Sequence, residues 1–289
     1  MTTIFKLINN MDRRIIFLVV AVAVIWTLVS PPGLPVMVTP LTQNTYNVIE
    51  QLQPGDPLLL SFDYDPASEP ELYPMAKAVV THCFRKNIKI IALGLWAQGP
   101  MMAKKVFNEL TLDKFDEITK TTKEAEFKNK IYGVDYINLG VKPSYIAAVK
   151  GMGTSFSATF PVDFDSNPIG KFEIMNGINT YKDIKAIFSL TTGTVGITTY
   201  LTIAQAQYKV KVIGGCTAVS ALEYYPYVQS KQLLGLLEGM KGASEYEALV
   251  KKPGVATAAM EPQSVVHIIL ILFIALANIS QMVLKNQKH

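Results

Sequence analysis

Asp63, Asp65, Glu69 and Glu71 place four carboxylates within nine residues, directly after the apolar run PLLLSF at 57–62. Two acids at that spacing can contribute to a divalent-cation site, although such an ion wants more oxygen ligands than two carboxylates supply; the same residues also serve as helix N-caps and turn formers. Other reactive or ligand-binding residue types follow other apolar runs: Trp96 in GLWAQG (94–99), Thr192 and Gly193 in SLTTGTVG (189–196), and Gly215, Cys216 and Thr217 in GGCT (214–217). Small Gly/Thr turns that open a helix expose backbone N–H groups at the positive end of the helix dipole and favour an anion. A cysteine in such a place is a candidate thiolate nucleophile. Asp63, Asp65, Trp96, Thr192, Gly193, Gly215, Cys216 and Thr217 are therefore the candidate ligand-binding set, expected around one crevice.

The spacing excludes several chemistries. Neither glycine cluster is a G-x-G-x-x-G fingerprint following the first strand, and no Gly-Lys-Ser/Thr of a phosphate-binding loop occurs. A Cys-His pair is not expected, because His82 lies in a helical pattern, His267 in an apolar segment, and His289 is the last residue. The Asp63-Tyr-Asp65 motif after an apolar strand resembles that of the haloacid-dehalogenase phosphatases, a resemblance that implies a nucleophilic Asp63 and an acid Asp65. It covers those residues alone: Ala67 stands where that family has Thr or Val, and Thr191 and Thr192 stand where a metal-binding acid pair belongs. Cys83 and Cys216 are expected to be separate buried thiols. No reaction, cofactor or metal follows from these residues, and the balance favours a non-enzyme.

The elements that must position these residues alternate. Apolar strand patterns at 57–62, 88–95, 136–139, 184–190 and 210–213 are separated by helical patterns at 71–85, 99–110, 195–207, 218–229 and 231–250, after a first helix at 41–52. That order predicts an α/β domain of Rossmann-like or flavodoxin-like type, three layers with a mainly parallel five-stranded sheet, in which ligands bind beyond the carboxyl ends of the strands. Residues 114–130 read as a charged surface helix or flexible excursion, and 150–180 as a long loop over one sheet edge. Three tyrosines in ALEYYPYV (221–228), and Gly235, Gly239 and Gly242 on one side of the last helix, suggest an interaction surface.

Two apolar segments, Ile15–Val29 and Val265–Leu284, flank this domain. Of 27 Lys/Arg and 23 Asp/Glu, five basic residues (Lys6, Arg13, Arg14, Lys285, Lys288) and one acid (Asp12) lie outside those segments, which leaves 22 of each sign between them. The net charge of +4 thus belongs to the tails. It predicts cytoplasmic termini and gives no basic surface for nucleic acid. The expected organisation is an interfacial amphipathic segment (1–12), an uncleaved transmembrane helix (13–30), an extracytoplasmic domain (31–262), a second transmembrane helix (263–285) and a cytoplasmic tail (286–289). His267, Asn278 and Gln281 fall within about 60° of one another at 100° per residue, a polar stripe suited to packing against another helix. The expectation is an integral protein of the plasma or inner membrane whose partners are the bilayer and either itself or another membrane protein. Its domain acts as a scaffold or assembly subunit; the alternative is a small-ligand-binding or sensory domain, or a cryptic hydrolase, using the crevice.

Overall fold

The computed structural model describes residues 12–116 and 121–286. The described residues form two compact units, one of 36–256 and one that combines 12–35 with 257–286. The expected amphipathic segment lies outside the described residues apart from Asp12, whose side chain accepts from the Arg14 amide and caps the first helix.

In the terminal unit, helix α1 runs Arg13–Val29, 17 residues. At 1.5 Å per residue it reaches about 25 Å, short of a hydrocarbon core of about 30 Å. Among the described helices only Val255–Val283, with mean hydropathy 2.2, is long and apolar enough to cross a membrane.

The unit 36–256 begins with α2 (Pro40–Glu50), then alternates: β1 (Pro57–Asp63), α3 (Glu69–Arg85), β2 (Lys89–Gly94), α4 (Gly99–Thr111), the short pair β3 (Lys114–Asp116) and β4 (Thr121–Lys123), β5 (Tyr136–Val141), α5 (Tyr145–Met152) and α6 (Phe156–Thr159). It continues with β6 (Ala186–Thr191), a helix made of α7 (Ile197–Thr199), a π-helical turn (Tyr200–Gln205) and α8 (Ala206–Tyr208), then β7 (Lys211–Cys216), α9 (Ala221–Gln229), β8 (Leu233–Glu238), α10 (Gly239–Leu249) and finally α11 (Val255–Asn286). The sheet order is β5-β2-β1-β6-β7-β8, six strands, parallel throughout. Counted within the sheet this is 3-2-1-4-5-6, the Rossmann order, whose switch point lies between β1 and β6.

Alternation along the strands feeds two cores. Leu58, Leu60 and Phe62 of β1 meet α2, α3, α4 and α10 on one face, while Leu59, Ile91, Ile137 and Ile187 meet α5, α6 and the Tyr200 region on the other. Both faces of the parallel sheet are thereby buried.

Three elements differ from the sequence reading. The sheet has a sixth strand, β8, where LLGLLE was read as the start of a helix; a short continuous apolar run carries no period to separate the two. Lys231 (φ 58°) and Gly239 (φ 56°) break the chain on either side of it. Gly235 therefore does not belong to a helix face: a Cβ there would lie 2.5 Å from the Thr45 backbone nitrogen, so its absence lets α2 cross β8. Residues 114–123 contain an antiparallel β-pair instead of a charged helix. Residues 150–180 do pass over the β5 edge, where the Phe164 amide donates to the Asn138 carbonyl at 2.8 Å, but they are more than a surface loop, since Phe156, Phe160, Ile169 and Ile174 are buried in the second core.

Candidate functional site

Strand period and register assemble the switch point. Ser61 and Asp63 lie on one face of β1, and Ser189 and Thr191, their direct partners in β6, lie on the same face. Asp63 is fully buried. Its Oδ1 accepts from Ser61 Oγ at 2.6 Å and from the Leu95 amide at 2.8 Å, and its Oδ2 accepts from Ser189 Oγ at 2.7 Å. Tyr200, in the π-helical turn, donates to Ser61 Oγ at 2.8 Å. Burial pushes the Asp63 carboxyl up to about 7, against the opposing pull of the Ser61, Ser189 and Leu95 hydrogen bonds.

The backbone packs closely around this cluster. Gly99, the first residue of α4, sits so near β1 that a Cβ would lie 1.9 Å from the Phe62 carbonyl oxygen. The β2–α4 connection thus covers the end of β1. Gly196 (φ 123°) is also closely fitted: its Cβ would lie 2.9 Å from Asp63 Oδ2 and 2.8 Å from Thr191 Oγ1. The Thr192–Gly196 turn is tied inward, with Ser220 Oγ donating to the Thr192 carbonyl at 2.8 Å and Tyr224 donating to the Gly193 carbonyl at 2.6 Å. The Gly193 amide points at Thr191 Oγ1, 3.3 Å away.

The second anion cradle expected from the sequence is filled by the protein itself. Glu71 Oε2 accepts from the Ala218 amide at 2.9 Å, occupying the turn after β7. Glu69 and Glu71 also put two acids in the first turn of α3, where a dinucleotide would place its pyrophosphate.

The remaining candidates are dispersed. Asp65 caps the turn Pro66–Ser68, accepting from the Ala67 amide at 3.1 Å. Among the described residues, no group of three or more His, Cys, Asp or Glu side chains is placed to hold a metal. Trp96 is half-buried, and its indole N–H is buried with no partner. Gly215 is a packing residue inside β7, its missing Cβ making room for Met75 Sδ at 2.7 Å. Cys216 is buried without a disulfide, as is Cys83. Burial first, then Glu238, Glu71 and Glu223, pushes the Cys216 thiol well above its ordinary range, the opposite of a nucleophile's environment. Thr217 shares a hydrogen bond with Ser220 at 3.1 Å. On α11, His267, Asn278 and Gln281 are exposed, whereas Ser280 is buried.

Ser61, Ser189 and Tyr200 complete the polar core of the site and escaped the sequence reading, and Tyr224, expected with its neighbouring tyrosines at an interaction surface, is instead buried and joins that core. A polar residue two places before Asp63, and another two before Thr191, was the available signal. No family model and no curated protein matches this chain, so its function is argued from its own residues.

Proposed function

We propose that α11 crosses a membrane and that α1, prolonged by the uncharged residues 30–38, crosses it too, with cytoplasmic termini and an extracytoplasmic domain, and that this domain is a scaffold or assembly subunit of a larger homo-oligomeric complex. The observation that carries the reading is where the chain enters and leaves the domain. Thr39, at the entry, hydrogen-bonds through its amide and hydroxyl to Glu245. Gly254 and Ala256, at the exit, hydrogen-bond through their amides to Glu247. Both connections are fastened to one helix by side chains two residues apart, so a chain arriving from a membrane can return to it without a long linker.

Val219 (88% exposed), Leu222 (72%) and Tyr225 (36%) follow one another at three-residue spacing, a solvent-facing apolar strip of the kind found at protein contacts.

The test is the native mass of the full-length protein extracted in mild detergent. A defined assembly of several chains is the expected result; a single chain would sink the scaffold reading. Orientation is tested separately with an impermeant maleimide on intact cells carrying Ala67→Cys or Lys123→Cys. Both native cysteines are buried, so the background is low, and labelling only after lysis would reverse the topology.

A further inference from the structure

The charges of the domain are segregated along the strand axis. At the amino ends of the strands, Lys89 lies beside Pro57 in the parallel register, and the Lys185 amide donates to the Pro57 carbonyl at 3.0 Å. Lys211 pairs with Ala186, and Lys231 lies two residues before Leu233, which pairs with Val212. With Lys182 and Lys209 they make a basic row running from β2 to β8. Four strand spacings of ~4.8 Å make it about 19 Å long.

Lys89 is half-buried and the other five lysines are exposed. Among the described residues none of the six is paired with a carboxylate, whereas Lys86 and Lys130 at the same edge pair with Glu50 and Asp135. The acids interleaved with the row, Asp56 and Asp183, accept the backbone amides of Gln53 and of Asn179 and Thr180. Lys209 and Lys231 have left-handed backbone (φ 57° and 58°) at helix ends where glycine is the least strained residue. A charged side chain is kept there at a conformational cost.

The carboxyl end of the sheet carries the opposite sign. Glu71 stands in the first turn of α3, Glu223 in the first turn of α9 and Glu238 at the end of β8. All three lie close enough to Cys216, the last residue of β7, to push its thiol up. Among the described residues none of the three pairs with a lysine or arginine, while Glu69 and Glu245 do. Val219, Leu222 and Tyr225 are exposed on either side of Glu223.

A strand of six residues such as β6 holds the two ends about 20 Å apart at ~3.3 Å per residue, so they do not meet within one chain. Two lysine edges repel each other, which excludes a two-fold contact of this edge with itself.

We propose that the lysine edge docks on the Glu71, Glu223 and Glu238 end of a second copy of the chain, in a head-to-tail contact. The aliphatic lysine stems cover Val219 and Leu222 while their ammonium groups reach the carboxylates. The inference rests on the homo-oligomeric reading above and names the contact that reading requires.

The test places Lys211→Cys and Leu222→Cys in separate full-length chains, co-expressed, extracted in mild detergent and treated with a short bismaleimide. Both native cysteines are buried. The expected result is a two-chain adduct from the co-expressed pair and none from either variant alone. A triple variant, Lys185→Glu with Lys211→Glu and Lys231→Glu, should raise the concentration at half-assembly about a hundredfold, because it sets like charges against each other. Adding Glu223→Lys should recover about tenfold of that loss, at an unchanged melting temperature. No adduct from the pair, adducts from a single variant, or an unchanged half-assembly concentration in the triple variant would overturn the head-to-tail contact. A native mass of several chains alongside that result would leave the homo-oligomeric reading standing, whereas a wild-type mass of one chain would remove both.

Discussion

Glu245 Oε2 accepts both the amide (2.9 Å) and the hydroxyl (2.6 Å) of Thr39, a residue 206 positions earlier in the chain. Thr39 is the N-cap of α2 and makes no side-chain cap of its own, so the carboxylate of a distant helix does that work. Glu245 is 1% exposed, and its loss leaves two donors without their acceptor. Glu245→Ala should cost about 3 kcal/mol, given 1.5–3 per charged hydrogen bond with partial replacement by water. Glu245→Gln should cost about 1 kcal/mol. Thermal unfolding of the full-length protein in detergent compares them.

Glu247 caps the exit as Glu245 caps the entry. Glu247→Ala should free the amides of Gly254 and Ala256 and loosen the chain locally more than it lowers global stability. Limited proteolysis is the measurement: cleavage within 250–256 should rise several-fold over wild type, while Glu245→Ala leaves that segment protected.

Asp63 predicts a pH dependence with a definite sign. Its carboxyl titrates at about 7 in the fold against an ordinary 3.8. Between those values the unfolded chain has released the proton and the folded chain keeps it, so stability falls as pH rises through the window and the loss is complete above it. Asp63→Asn removes that dependence. It should stabilise by about 2 kcal/mol at pH 8, half of what 1.4 kcal/mol per pKa unit allows because Asn exchanges an acceptor for a donor. Asp63→Ala, which orphans Ser61, Ser189 and the Leu95 amide, should destabilise at every pH.

His82 predicts the opposite slope. It is 4% exposed, stacks on Tyr46 at 4.5 Å, and lies 2.8 Å from both Tyr246 OH and Glu50 Oε2. Burial lowers its pKa, although Glu50 pulls the other way. A neutral ring with its hydrogen on Nε2 donates that N–H to the Glu50 carboxylate and accepts at Nδ1 from the Tyr246 hydroxyl. Below the ordinary 6.5 the unfolded chain is protonated and the folded chain is not, so stability falls as pH drops from there. His82→Gln should flatten that acid limb in unfolding measurements from pH 7 to 5.

Glycine positions offer a steric contrast. Gly99→Ala forces a methyl to 1.9 Å from a backbone oxygen, whereas at Gly193 a methyl meets nothing within 4 Å. Gly99→Ala should lower stability by more than about 3 kcal/mol or abolish folding; Gly193→Ala should stay within about 0.5 kcal/mol, and equal melting temperatures would refute the close approach.

Much of the α/β architecture was legible because it rests on local patterns. PLLLSF, IKIIALGL and KAIFSL are apolar runs of strand length between helix-length amphipathic segments, and only a parallel sheet covered on both faces accommodates them. The strand LLGLLE escaped because Leu-rich runs carry no β-branched signal and no alternation, and its identity depends on pairing with β7. The candidate residues could be assigned to the carboxyl ends of the strands from local pattern, but the contacts that fill those turns were not legible. That Glu71 fills the turn after β7, and that the start of α4 covers β1, are consequences of contacts between residues 147 and tens of positions apart.

By itself the sequence determined the alternation of elements, the placement of charge in the tails and the positions of the apolar ends, because each depends on residues near one another in the chain. Only the tertiary structure decided the 3-2-1-4-5-6 strand order, the burial of Asp63 among Ser61, Ser189 and the Leu95 amide, and the fastening of both chain connections to α10. Those are long-range pairings, selected by which buried polar groups can satisfy one another once the apolar faces have closed.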